Sequence, residues 1–199
     1  MTTRDGAWMQ TYTGRQYWPL DPRSNEVFIE DIAHALSLSC RFSGHCVRFY
    51  SVAEHSVRCV RWLAENMDDM IKEYSLDEES MWLSQKWTLM HDAAEAYVSD
   101  VPRPIKPYLG GFDEIEEKNL KAIAGRFSLK YPMPESIAEI VKKADNIILM
   151  TEKRDNMAKC DYSWGLEGKV WPDRKHIVPY SPEEAKRGFM ECYEYLFGA

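Results

Sequence analysis

Residues 88–107 read TLMHDAAEAYVSDVPRPIKP, and the change from helix to proline loop within this stretch decides the fold. Leading into it, Leu83, Trp87, Met90, Ala94 and Tyr97 recur at spacings of four, three, four and three, the mark of one buried helical stripe. Pro102, Pro104 and Pro107 then each remove a backbone donor and restrict the residue before them, so helix gives way to loop. At about 100° per residue, His91, Asp92 and Glu95 fall within one arc beside the stripe, with Glu95 between the other two. Asp100 follows just past the end of the expected helix, which the periodicity places over 80–98. A histidine and three acids thus lie at the border of core and solvent. Side chains there are held rigidly and still face substrate, which suits metal chemistry.

Working outward, residues 1–28 hold aromatic and turn residues without a sustained period and read as an irregular surface arm, with room for a short strand. Ile29, Ile32, Ala33 and Leu36 mark a helix over 29–38. Ser51-x-x-Glu54 has the form of a capping box and opens a helix to about residue 67, with His55 in its first turn. The acidic segment 68–79 reads as a solvated, irregular connection. Beyond the prolines, helices are expected over 113–127, over 134–160 and from Ser181-Pro182 to about 197. The stripe Ile137, Ile140, Val141, Ala144, Ile147, Ile148 and Thr151 is the most regular in the chain, and Asp145 sits at its edge. The expected product is one all-α domain, residues 29–199, behind the N-terminal arm.

At 199 residues the chain is long enough for one sizeable core and short for two domains. The net charge of −7 argues against a polymeric nucleic-acid partner, because phosphate-backbone binding needs clustered Lys and Arg. A small anion that meets a few converging basic residues is still compatible with it. There is no apolar run long enough to span a membrane and no apolar segment after a basic start, so a cytoplasmic protein without membrane contact is expected. The five cysteines form no C-x-x-C pair, and an odd number fits reduced thiols.

His55, His91, Asp92 and Asp145 come from three expected helices, and each lies beside an apolar stripe. Two imidazoles and two carboxylates suit a divalent ion such as Zn²⁺, Co²⁺ or Mn²⁺, with Mg²⁺ also admissible. Such an ion polarises a phosphoryl oxygen and lowers the pKa of bound water from ~15.7 to about 7. The bland alternative is a helix-border histidine bonded to a carboxylate, together with a solvated Asp145.

Taken together, these residues resemble the H…HD…D pattern of the HD superfamily of metal-dependent phosphohydrolases. Within it, the sequence is most similar to bacterial 5′-deoxynucleotidases and phage dATP triphosphohydrolases. The resemblance runs from about Ile29 to Asn156 and rests on Arg41-Phe42, on YSVAEHS around His55, on HDAAEAYVSDVPRPIK and on KKADNIILMTEKRD around Asp145. It implies an HD-type helical bundle in which His55, His91, Asp92 and Asp145 ligate the metal. Glu95 would orient or deprotonate the attacking water, and Asp100 would stand near the water or the leaving oxygen. Arg41 would contact phosphate, for which a guanidinium offers a permanent charge and a fork of donors. Phe42, where the bacterial nucleotidases carry tryptophan, would meet the sugar and base. Lys106 and Lys142 would add positive charge near the phosphates.

The resemblance further implies a homo-oligomer, dimer or hexamer, and hydrolysis of a deoxynucleotide at the α-phosphorus. The wording of CRFSGH, FYSVAEHS and DVPRPIK leans toward dATP, giving deoxyadenosine and triphosphate. A 5′-deoxynucleotidase releasing phosphate from a deoxynucleoside monophosphate is the alternative. His34, His45 and His176 have weaker claims on the site. Trp164 and Trp171, in the late loop, are expected to pack, with a lid as the sharper option.

Overall fold

Ser51 nucleates the central element. Its hydroxyl accepts the backbone N–H of Glu54 at 3.1 Å and so starts α2 (Val52–Glu65). The return half of the expected capping box is not made. The Glu54 carboxylate is spent on Arg58, at 2.8 and 2.7 Å, and on the N–H of Tyr180 at 2.9 Å, because the buried acid needs charged and backbone partners of its own. Nearly every position of α2 is buried, from Val52 to Leu63, so the helix is the axis on which the others pack.

The computed structural model describes residues 4–198. Its other elements are β1 (Met9–Gln10), β2 (Gln16–Tyr17), α1 (Ile29–Leu38), α3 (Met67–Tyr74), α4 (Glu78–Met90), α5 (Glu95–Val98), α6 (Phe112–Arg126), α7 (Glu135–Asn156) and α8 (Pro182–Phe197). Among the described residues, the antiparallel pair β1–β2 is the only sheet, and the fold is mostly helical, as the periodicity predicts. Two apolar clusters flank α2. One joins Val52, Val57 and Val60 to Ile32 and Leu36 of α1, Ile123 of α6 and Phe189 of α8. The other joins Cys59, Trp62 and Leu63 to Met70, Met81, Ile140, Ala144 and Ile148. Full burial of one such aliphatic side chain is worth about 1.5–3 kcal/mol, so the two clusters hold α4 and α7 firmly against α2.

The arm is tied into this body. Tyr17 is fully buried, stacks on Tyr97 with ring centroids 3.8 Å apart, and donates its hydroxyl proton to Asn119 Oδ1 at 2.7 Å. Two local expectations are corrected. Residues 67–74 form α3 rather than an irregular connection, with Met70 buried and Asp68 and Asp69 in the first turn, where the helix dipole favours them. The helix expected over 80–98 is two, since α4 stops at Met90 and α5 starts at Glu95. Between them the bonding tightens from i−4 to i−3, with Ala93 N–H on Met90 O at 3.0 Å and Glu95 N–H on Asp92 O at 3.0 Å.

α7 ends at Asn156, short of the expected Cys160, where the backbone becomes extended at Met157. The return chain to α8 is pinned to its last turn. Asp155 accepts from Ile177 N at 2.8 Å, from His176 at 2.9 Å and twice from Arg154, while Arg154 also donates to the carbonyls of Asp173 and Lys175. α8 opens with a complete capping box between Ser181 and Glu184 and with Pro182 in its first turn. Among the described residues no helix is long and apolar enough to cross a membrane.

Candidate metal centre

The tightened joint between α4 and α5 carries His91 and Asp92. There the Thr88 carbonyl accepts from His91 Nδ1 at 2.7 Å. A carbonyl can only accept, so Nδ1 holds a proton, and Nε2 is the atom that carries the lone pair whenever the ring is neutral. His91 Nε2 is buried without a hydrogen-bond partner. α2 brings His55 alongside, its ring centroid 5.4 Å from that of His91. Glu152 Oε1 holds His55 Nδ1 at 2.6 Å, which leaves Nε2 facing Asp145 Oδ1 of α7 at 3.5 Å. One ligand atom each of His55, His91 and Asp145 lies within 4.8 Å of the other two. These three expected ligands therefore converge. Asp92, the fourth, adjoins them, its Oδ2 standing 3.2 Å from His91 Nε2 and 3.8 Å from His55 Nε2.

A divalent cation fits this donor set. The set offers imidazole nitrogen and carboxylate oxygen from α2, the α4–α5 joint and α7, and the partnerless Nε2 of His91 is the kind of buried polar atom that a ligand would satisfy. Each histidine has its other nitrogen fixed by a carboxylate or carbonyl, the arrangement that orients metal-ligating imidazoles.

The buried charges sort the four carboxyls into two pairs. Burial alone would raise Asp92, yet His91, His55 and Arg41 hold its carboxyl well below the usual range. Asp145 is likewise held low against burial by the hydrogen bond and charge of His55, by His91 and by Lys142. Glu95 moves the opposite way. Burial first, then the charges of Asp92 and Asp100, pushes it up to about 9. Its Oε2 is buried with no partner. Asp100 is raised by burial, with the Asp92 charge adding to the rise and Arg41 opposing it. Two carboxylates that ionise easily thus stand beside two acids that resist ionisation.

The loop of residues 40–51 sets Arg41 at the rim. It is closed by the Cys40–Ser51 bridge and by Arg41 N–H on Tyr50 O at 2.9 Å, just where α2 begins. The Arg41 guanidinium reaches inward to Asp92 Oδ2 at 3.4 Å and Glu152 Oε2 at 3.2 Å. Phe42 and Ser43 follow with φ of 55° and 51°, left-handed backbone that costs an L-residue about 1–2 kcal/mol. This turn swings the Phe42 ring to 5.7 Å from Trp164, centroid to centroid. Trp164 is itself presented by a loop folded on Glu167, which accepts from Ser163, Trp164, Gly165 and Lys153.

Other expected residues sit differently. Lys106 is paired with Glu116, at 2.8 and 3.0 Å, and its charge also acts on Glu95 and Asp92. Lys142 pairs with Asp145 Oδ2 at 2.7 Å from the outside, its side chain 53% exposed. His34 stacks on Tyr12 at 3.7 Å, and His176 serves Asp155. Glu152 was not among the sequence candidates. The signal was present, because it stands seven residues after Asp145 and four after Ile148, in phase with the buried stripe of α7.

The chain is 33% identical over 191 residues to the uncharacterized protein YfdR of Escherichia coli K12, a match that covers 96% of this chain and 96% of that one. The chain belongs to the YfdR family. An uncharacterized protein of Rhodobacter capsulatus is 31% identical over 200 aligned positions, covering 96% of this chain and 95% of that protein. Both matches take in nearly the whole chain. No family model matches the chain.

Proposed function

We propose that this YfdR-family chain is a metal-dependent phosphohydrolase of the HD type. It would cleave deoxynucleoside phosphates at the α-phosphorus, with dATP to deoxyadenosine and triphosphate as the leading reaction. Release of phosphate from a deoxynucleoside monophosphate is the alternative. A cytoplasmic homo-oligomer belongs to the same reading. The supporting observation is the convergence of His55, His91 and Asp145 beside two buried atoms without partners, His91 Nε2 and Glu95 Oε2.

In this reading His55, His91 and Asp145 hold the cation, with Asp92 as fourth ligand. When bound, the cation supplies Lewis-acid charge to a phosphoryl oxygen and makes a water more acidic. Thr88 and Glu152 keep both imidazoles in the ligating tautomer. Glu95, whose proton affinity lies above that of its neighbours, takes and returns the proton of the attacking water through its unpartnered oxygen. Asp100 stands ready for the leaving 5′-oxygen. Arg41 turns its fork of donors to the phosphate, and its buried, unpaired Nε is among those donors. Phe42 and Trp164 offer apolar faces to the sugar and base.

Ion-exchange product analysis tests the reading. Protein supplied with Co²⁺, Mn²⁺, Zn²⁺ or Mg²⁺ is given dATP and, separately, dAMP. Deoxyadenosine with intact triphosphate is the expected result. Orthophosphate from dAMP with dATP untouched selects the nucleotidase, and no hydrolysis of either substrate contradicts both.

A further inference from the structure

Glu152 is fully buried, about one turn before the C-terminal end of α7, with both carboxylate oxygens engaged. Oε1 meets His55 Nδ1 at 2.6 Å and Oε2 meets an Arg41 terminal nitrogen at 3.2 Å. A buried carboxylate is costly to keep unless each oxygen is bonded, so its place between these two side chains is a strong constraint on both of them. His55 comes from α2 and Arg41 from the loop before it, while Glu152 comes from α7, 97 and 111 residues away in sequence. α7 also carries Asp145, so one rigid helix delivers a metal-facing carboxylate and, two turns on, the carboxylate behind the imidazole.

We propose that Glu152 is the positioning residue of the centre, one oxygen fixing the His55 ring for the metal and the other holding the Arg41 guanidinium at the phosphate position. The inference rests on the metal-centre reading and adds to it a residue that links metal binding to anion binding. Both partners are donors, so the role requires two acceptors. Glutamine supplies one acceptor and one amino group. If its oxygen faces His55, Arg41 loses its anchor. If its amino group faces His55, Nδ1 must accept, the ring proton moves to Nε2, and the lone pair that a metal needs is gone. Either way one half of the arrangement fails.

The test is calorimetric titration of chelator-stripped protein with Co²⁺, and of the Co²⁺-loaded protein with inorganic phosphate. Glu152→Gln is expected to weaken Co²⁺ binding, phosphate binding or both by about 10–100-fold while unfolding cooperatively. Thr151→Ala is the structural control. It removes the hydroxyl that accepts from Asp173 N at 2.8 Å in the same turn, and is expected to leave both affinities at the wild-type value. Glu152→Asp, which keeps the charge and withdraws it by one methylene, gives a second reading if the glutamine variant does not fold. Wild-type affinity for both ligands in either folded variant overturns the inference, and so does an equal loss in Thr151→Ala. Wild-type protein that binds no Co²⁺ overturns the metal reading as well, whereas tight wild-type binding with unaffected Glu152 variants overturns this inference alone.

Discussion

A glutamic acid whose carboxyl is pushed up by burial and by the charges of Asp92 and Asp100, next to two carboxylates held low, has the raised proton affinity of a proton-exchange group. The charge of a bound cation would bring it back toward the ionised, base form. Glu95→Gln is therefore expected to lower kcat by about 10²–10⁴-fold while leaving the bound metal per chain unchanged. Comparing single-turnover rate with metal content checks this, and a variant that loses metal in step with rate would make Glu95 a structural residue. The convergence of His55, His91 and Asp145 was legible in the H…HD…D pattern as a whole and not in any one of these residues, since a lone histidine or acid at a helix border reads equally well as bonded or solvated. Glu152 was not legible, because a single acid in a long charged helix is read as solvated, and only the burial of its phase on α7 shows otherwise. Lys106, which the resemblance places near the phosphates, is paired with Glu116, ten residues on, a partner that the sequence did not single out.

At the scale of elements, the long regular stripes foretold α1, α7 and α8, and the capping chemistry of Ser181 and Pro182 set the start of the last. α3 was missed because two acidic turns with one buried methionine carry too short a period to stand out from a connection. The split between α4 and α5 was missed for a different reason. Changing the ladder from i−4 to i−3 over one turn hardly alters which residues share a face, so the sequence pattern runs through the joint unbroken. That joint nonetheless matters to the site, since within it the Thr88 carbonyl orients His91.

The clamp at the end of α7 also carries a pH prediction. Burial would raise Asp155, but bonds from Arg154, Ile177 N and His176 hold its carboxyl well below the usual range. A depressed carboxylate contributes stability above its unfolded pKa of about 4, and the contribution is lost as pH falls through the lower folded value. Asp155→Asn should cost about 1–3 kcal/mol in urea unfolding at neutral pH, and the deficit should shrink on acidification toward about pH 3 and below. A deficit that does not change with pH would contradict the ion-pair account.

For the whole molecule, the architecture follows from α2. Its N-terminal half faces one apolar cluster and its C-terminal half another, and His55 sits among residues that hold α4 and α7 in place. The centre is thus assembled from parts of the chain 90 residues apart, His55 and Asp145, only when the core has formed. The helical content and the near-full-length match to YfdR describe a shared scaffold, whereas the chemistry is argued from the site itself. Metal content per chain in wild type and in His91→Ala/Asp92→Ala, both purified and dialysed against Co²⁺, decides whether these residues form a metal centre. About one ion per wild-type chain is expected, with loss of the ion, together with hydrolysis, in the double variant. Equal metal content and equal hydrolysis in the two proteins would overturn the metal centre.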